Sequence, residues 1–155
     1  MKKFFTLFMF SFLGLSLQAQ TQQKPQEEVK PGLPQTVEEL PDYAALQKRL
    51  NLKDVVTVAD QEPEFPGGRK AYLYKISESM PILDIKSTKD FNVTIYVIIE
   101  KDGYIRNYTA ISNNKKYVEA AESAVKKVFT RWKPAKVNGQ PVRYIFYIPI
   151  GLKKW

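Results

Sequence analysis

Neither cysteine nor histidine occurs anywhere in this chain. Their absence removes the thiol nucleophile, the usual acid/base group near neutral pH and the commonest transition-metal ligands together. No acidic cluster at metal-ligand spacing takes their place, so no cofactor or metal is implied. The residues offer no pair placed to act as acid and base, which speaks against an enzyme. Long hydrophobic runs are also missing. The longest, Phe4 to Leu17, follows Lys2-Lys3 and has the length of a signal-peptide core, short of the ~20 residues that span a bilayer.

What is present starts with that segment. Leu17 and Ala19 stand at the minus-three and minus-one positions of a cleavage site, so residues 1–19 read as a signal peptide cut after Ala19, giving an exported, periplasmic chain. The alternative is a short uncleaved anchor. Losing Lys2 and Lys3 takes the formal charge from +8 to +6. The remaining lysine pairs, at 115/116, 126/127 and 153/154, are scattered, which favours solvated faces over a nucleic-acid surface. Apolar residues make up 44% of the chain and aromatics 13%, enough for one core without disulfides. Membrane contact is then only indirect.

Residues 20–41 are Gln, Glu, Pro and Lys with almost no large apolar residue. They read as a flexible linker, reaching roughly 70 Å if extended at about 3.1 Å per residue. The folded domain is expected over 42–155. Asp42 is placed to cap a short helix carrying Tyr43, Leu46 and Leu50. Val55–Ala59 reads as a strand, and Phe65-Pro66-Gly67-Gly68 as a sharp turn into a helix over 69–80 that presents Leu73, Ile76 and Met80. The double glycine lacks the Lys and Ser/Thr of a phosphate-binding loop.

Asn92 to Glu100 alternates with apolar residues on both faces, the mark of a central strand. Asp102-Gly103 turns it into a return strand over 104–112. Asn113 or Asn114 is placed to cap a helix over 116–132, with Val118, Ala121, Val125, Val128 and Trp132 as its apolar stripe and Glu122 and Lys126 as an outward pair. Pro134 is expected to stop it. Asn138-Gly139 then turns into a last strand, Pro141 to Ile150.

Three segments together resemble the TonB C-terminal domain family, over about residues 55–150. They are Pro63 to Gly68, Val97 to Ile105, and Trp132-Lys133-Pro134 through Asn138-Gly139-Gln140-Pro141-Val142 to Ile150. The resemblance implies an α+β domain with helices on one face of a three-stranded antiparallel sheet. It gives Phe65, Pro66, Gly67, Gly68, Asp102, Gly103, Trp132, Pro134, Gly139 and Pro141 structural roles. It also implies a protein-binding module whose partner is an envelope protein such as an outer-membrane TonB-dependent transporter. Energy-transducing members resemble one another in an uncleaved N-terminal helix. This chain is expected to lose its own, so a passive role is the first reading and a transducer with a short anchor the alternative.

Binding by strand addition needs an open edge. Placed antiparallel to the central strand, the last strand falls at an edge, and Pro141 and Pro149 mark the direction in which no hydrogen-bond donor is needed. Arg143, Ile145 and Tyr147 share that direction and are the expected partner-binding residues. A homodimer through the same edge is the other assembly it allows.

Overall fold

The strand expected to be central is central. In the computed structural model, which describes residues 34–83 and 91–151, β2 (Asn92–Ile99) lies between β3 (Ile105–Ile111) and β6 (Arg143–Gly151), antiparallel to both. Both of its faces are buried, as the double apolar pattern requires. Val93, Ile95, Val97 and Ile99 face one core, while Tyr96 and Ile98 face another. The described residues fall in one compact unit, Gly32–Trp155; residues 1–33, which hold the segment read as a signal peptide and most of the stretch read as a linker, lie outside the described residues.

The larger core is covered by two helices, α2 (Gly68–Ser79) and α3 (Lys115–Lys127). Asn114 caps α3, its side chain accepting from the Lys116 N–H at 3.0 Å. From α3 the core takes Tyr117, Ala121, Ala124 and Val125, and Val128 and Trp132 extend the stripe beyond its end. The helix stops at Lys127, well before Pro134. Trp132 is needed elsewhere: its N–H donates to the Gly103 carbonyl at 2.7 Å, and its ring meets Phe65 at 5.1 Å and Tyr72 at 4.8 Å. A continued helix could not deliver both contacts. The Tyr72 hydroxyl and the Trp132 indole N–H are buried without a hydrogen-bond partner among the described residues. Each unmade bond costs about 1–3 kcal/mol. An aromatic ring that buries ~150–250 Å² gains more than that at about 25 cal/mol per Å², so packing wins.

The α+β class stands, but the sheet has four strands and is mixed. β1 (Val55–Val56) adds outside β6 and runs parallel to it, Val55 opposite Arg143 and Val56 opposite Tyr144, giving the order β1-β6-β2-β3. Nor do the helices sit on one face alone. A turn of 3-10 helix at Val37–Glu39 and the four-residue α1 (Tyr43–Leu46) cover the other face. There Val37, Leu40, Leu46 and Leu50 pack on Tyr96, Ile98 and Ile145. Residues 37–41, assigned by composition to the linker, thus lie in the packed unit: the Tyr96 hydroxyl donates to the Pro41 carbonyl at 2.8 Å. Asp42 caps nothing; its φ is +64°, and its carboxylate accepts from the same hydroxyl at 3.1 Å.

The expected last strand divides at Val142, whose N–H donates to the Ala135 carbonyl at 3.0 Å. Before it, β4 (Lys136–Val137) and β5 (Gln140–Pro141) form a hairpin around Asn138 and Gly139, with φ of +50° and +76°. Positive φ at both central residues is the turn that matches strand twist. Pro141 therefore belongs to this small hairpin and not to β6.

Candidate protein-binding edge

An antiparallel strand directs both backbone groups of alternate residues to the same neighbour. Three observations set that alternation here. Pro149, opposite Thr94, has no N–H to give. The Glu100 N–H donates to the Tyr104 carbonyl at 2.9 Å, toward β3. Ala110, opposite Ile95, turns away from β2 altogether, its N–H donating to Glu122 Oε1 at 3.1 Å and its carbonyl accepting from Arg49 Nη1 at 3.2 Å. Odd-numbered residues of β2 therefore bond β6, and Arg143, Ile145, Tyr147, Pro149 and Gly151 of β6 direct their backbone outward.

The two edges of the sheet differ. At β3, Glu122 and Arg49 block the backbone of Ala110, and Thr109 Oγ1 donates to the same carboxylate at 2.9 Å. Glu122 was expected to pair with Lys126; it turns inward because a strand edge offers it N–H and O–H donors. At β6, β1 covers only Arg143 and Tyr144.

Arg143 is accordingly not open to a partner. Its backbone faces Val55, and its guanidinium grips Glu100 in a two-pronged pair, Nε to Oε2 at 2.8 Å and Nη2 to Oε1 at 3.1 Å, both side chains largely buried. It also donates to the carbonyls of Lys53 and Asn51. The hydrogen bonds from Arg143 hold the Glu100 carboxyl below its ordinary range, assisted by the Asn107 amide. This is a clamp between β2, β6 and the loop before β1. Ile145 directs its backbone outward, but its side chain is sealed in the second core, 2% exposed. Tyr147 is half-buried and stacks on Tyr96 with ring centroids 5.9 Å apart.

Two grooves flank this stretch. One, of about 260 Å³, runs past Leu40, Thr57, Glu62 and Tyr144 to Tyr147 and Pro149. The other, of about 430 Å³, lies between α2 and the end of β6, with Leu73, Ile76, Met80 and Ile150 in its walls. Arg69 and Pro149 line both. The Tyr144 hydroxyl, at the start of the first groove, is pushed up to about 12 by burial, with a further contribution from Glu62.

The motif residues lie away from this edge or beneath it. Phe65 is in the aromatic cluster with Tyr72 and Trp132. Pro66 is exposed beside it, and Gly67 and Gly68 take φ of +85° and +79° to start α2. Asp102 and Gly103 form the β2–β3 turn, closed by the Gly103 N–H on the Glu100 carbonyl at 2.8 Å. Asp102 also pairs with Arg106 at 2.6 Å, and hydrogen bonds from Arg106 and the Tyr104 N–H bring its carboxyl to about 2. Pro134 is half-buried and Gly139 exposed in the small hairpin. Among the described residues no helix is long and apolar enough to cross a membrane.

Residues 81–151 match the family described as Gram-negative bacterial TonB protein, C-terminal. Over that stretch the chain is similar to a family of protein-interaction and energy-transduction domains of the envelope, which is not a family of enzymes. Searches among curated proteins and among solved structures give no match. The matched stretch includes β2, β3, β6 and α3, and begins after the Phe65-to-Gly68 turn.

Proposed function

We propose that this protein is a periplasmic module that captures an extended segment of an envelope protein, such as an outer-membrane TonB-dependent transporter, by adding it as a strand along residues 145–151 of β6. The observation that carries this reading is the asymmetry of the sheet: at β3 the backbone of Ala110 is taken by Glu122 and Arg49, while β6 beyond β1 has outward backbone groups and grooves on both sides. Main-chain pairing then supplies affinity and alternate side chains supply selectivity. Arg143 takes no part in capture, and Ile145 and Tyr147 contribute their backbones.

Export with cleavage after Ala19 belongs to the same proposal, because a released chain binds without transmitting force. Intact mass of the protein from the periplasmic fraction, starting at Gln20, supports it; recovery of the full chain only in membranes favours a transducer.

The strand-addition test is a pair of substitutions. Tyr147→Pro removes an outward N–H and should abolish peptide capture while the fold survives. Tyr147→Ala, which keeps the N–H and loses the same ring stack, should still bind. Equal binding by both variants would refute the edge.

A further inference from the structure

We infer that the corner where the β2–β3 turn meets the end of α3 is a membrane contact, the Phe129 ring entering the acyl boundary of an anionic phospholipid leaflet and Lys101, Lys126 and Arg131 lying among its phosphates. This contact is independent of strand addition, because β3 and β6 lie on opposite sides of β2.

Phe129 stands just past the last residue that follows α3 into the core. Val128 turns inward, whereas Phe129 is 77% exposed. A lone exposed apolar residue is ordinary, and its exposure alone decides nothing. This ring, however, is held in place. It stacks on Tyr104 with ring centroids 5.2 Å apart and planes 20° apart, so presenting it to a partner costs little further side-chain entropy. Ile105 and Tyr108 share a small groove of about 90 Å³ with it. A phenyl ring beside tyrosines, whose rings are apolar and whose hydroxyls are polar, is a composition suited to the boundary between water and lipid.

The charge around the ring is unbalanced. Lys126 lines the same groove, Arg131 is fixed to the β2–β3 turn by its Nε bond to the Asp102 carbonyl at 2.9 Å, and Lys101 belongs to that turn. All three are exposed, and none has an acidic partner among the described residues. The acids nearest along the chain are already engaged: Asp102 by Arg106 at 2.6 Å, Glu100 by Arg143 at 2.8 Å, and Glu122 by the Thr109 hydroxyl and the Ala110 N–H. The helix dipole accounts for Lys126 in the last turn of α3, but not for Lys101 or Arg131. Spacing along the chain hides the patch, because the fold gathers residues 101, 126 and 131 about one ring.

Shape selects lipid among the anionic partners. A folded protein needs a pocket matched to an outstanding ring, whereas a fluid leaflet closes around one. A sugar polymer would set its hydroxyls against a phenyl ring that has no hydrogen-bonding group. Phosphates at headgroup level with acyl chains beneath them match cations placed around an apolar tip.

The chain has no cysteine, so one introduced as Thr130→Cys carries a polarity-sensitive dye at a single place. Val58→Cys puts the same dye just past β1, at the far end of the sheet from β3. Each protein is mixed with vesicles of phosphatidylcholine, with or without phosphatidylglycerol, or is reconstituted into them if its N-terminal segment is retained. The dye at 130 should brighten and shift to the blue only where phosphatidylglycerol is present, and the dye at 58 should not respond. Lys126→Gln should weaken docking about fivefold, the effect of one cation near such a surface. Phe129→Ala should weaken it about five- to tenfold. High salt should weaken it as well. Circular dichroism melts establish that the variants fold.

An equal response at 58 and 130 shows adsorption by net charge alone, and a response unchanged by Phe129→Ala shows that the ring stays out of the leaflet; either overturns the contact. An equal response to phosphatidylcholine alone, or no response, overturns it too. So does a Phe129-dependent response to poly-glutamate that vesicles do not give, which shows an acidic protein partner.

Discussion

Replacing Gly103 by alanine should be far more damaging than the same change at Gly139, although both are turn glycines with φ near +80°. A left-handed backbone alone costs a non-glycine residue about 1–2 kcal/mol. At Gly139 nothing lies within 4 Å of the added Cβ, so the cost should end there. At Gly103 the new Cβ would lie 2.0 Å from the Trp132 carbonyl oxygen and 3.1 Å from its carbonyl carbon. The backbone must separate, which threatens the 2.7 Å bond from Trp132 N–H to Gly103 and disturbs the ring cluster beneath.

A lost hydrogen bond adds about 1 kcal/mol. Partial displacement of the indole adds a fraction of the ~3–5 kcal/mol that deletion of such a ring costs. The expected totals are about 3–4 kcal/mol for Gly103→Ala and about 1–2 kcal/mol for Gly139→Ala. Urea unfolding followed by circular dichroism gives both numbers. Equal midpoints would refute the contact between the β2–β3 turn and Trp132.

Three other outcomes follow from the same packing. Glu100→Gln should destabilise the protein at pH 7 by about 1–3 kcal/mol, because Arg143 loses a charged partner. It should also flatten the acid limb: Glu100 is depressed in the folded state, so its contribution is present above about pH 4.5 and is lost as pH falls through its lowered value. A pH series of melts in which both proteins decline in parallel below pH 4.5 would contradict this. Leu40→Ala should cost about 2 kcal/mol or more, which thermal melting would show, whereas a linker residue would be neutral. Glu122→Ala should release the Ala110 and Thr109 donors and make the β3 edge prone to pairing between copies, a concentration-dependent change visible by sedimentation.

Much of this architecture is local and so was legible. Apolar residues on both faces of 92–99 marked a central strand, Asn114 a cap, and Asp102-Gly103 and Asn138-Gly139 two turns. What escaped depends on partners distant in the chain. Val55-Val56 is too short for its periodicity to say that it pairs parallel with Arg143. Val37 and Leu40 are lone apolar residues in a polar stretch, where average composition hides that each is buried against Tyr96, Ile98 or Ile145. Glu122 and Lys126 have the right spacing for a helical pair, but a strand edge offers the carboxylate better donors. At the binding edge, the outward direction of 145 and 147 was legible from Pro149. The engagement of Arg143 by Glu100 and β1 was not, nor the burial of the Ile145 side chain, because the covering segments lie far back in the chain.

The central claim is that an extended segment pairs with the outward backbone of β6, and residue-resolved amide hydrogen exchange tests it most directly. On addition of a binding peptide, the amides of Ile145, Tyr147 and Gly151 should gain protection, while those of Arg106 and Tyr108 on the opposite edge should not change. Protection confined to the β3 edge, or none along 145–151 with the peptide bound, would contradict it.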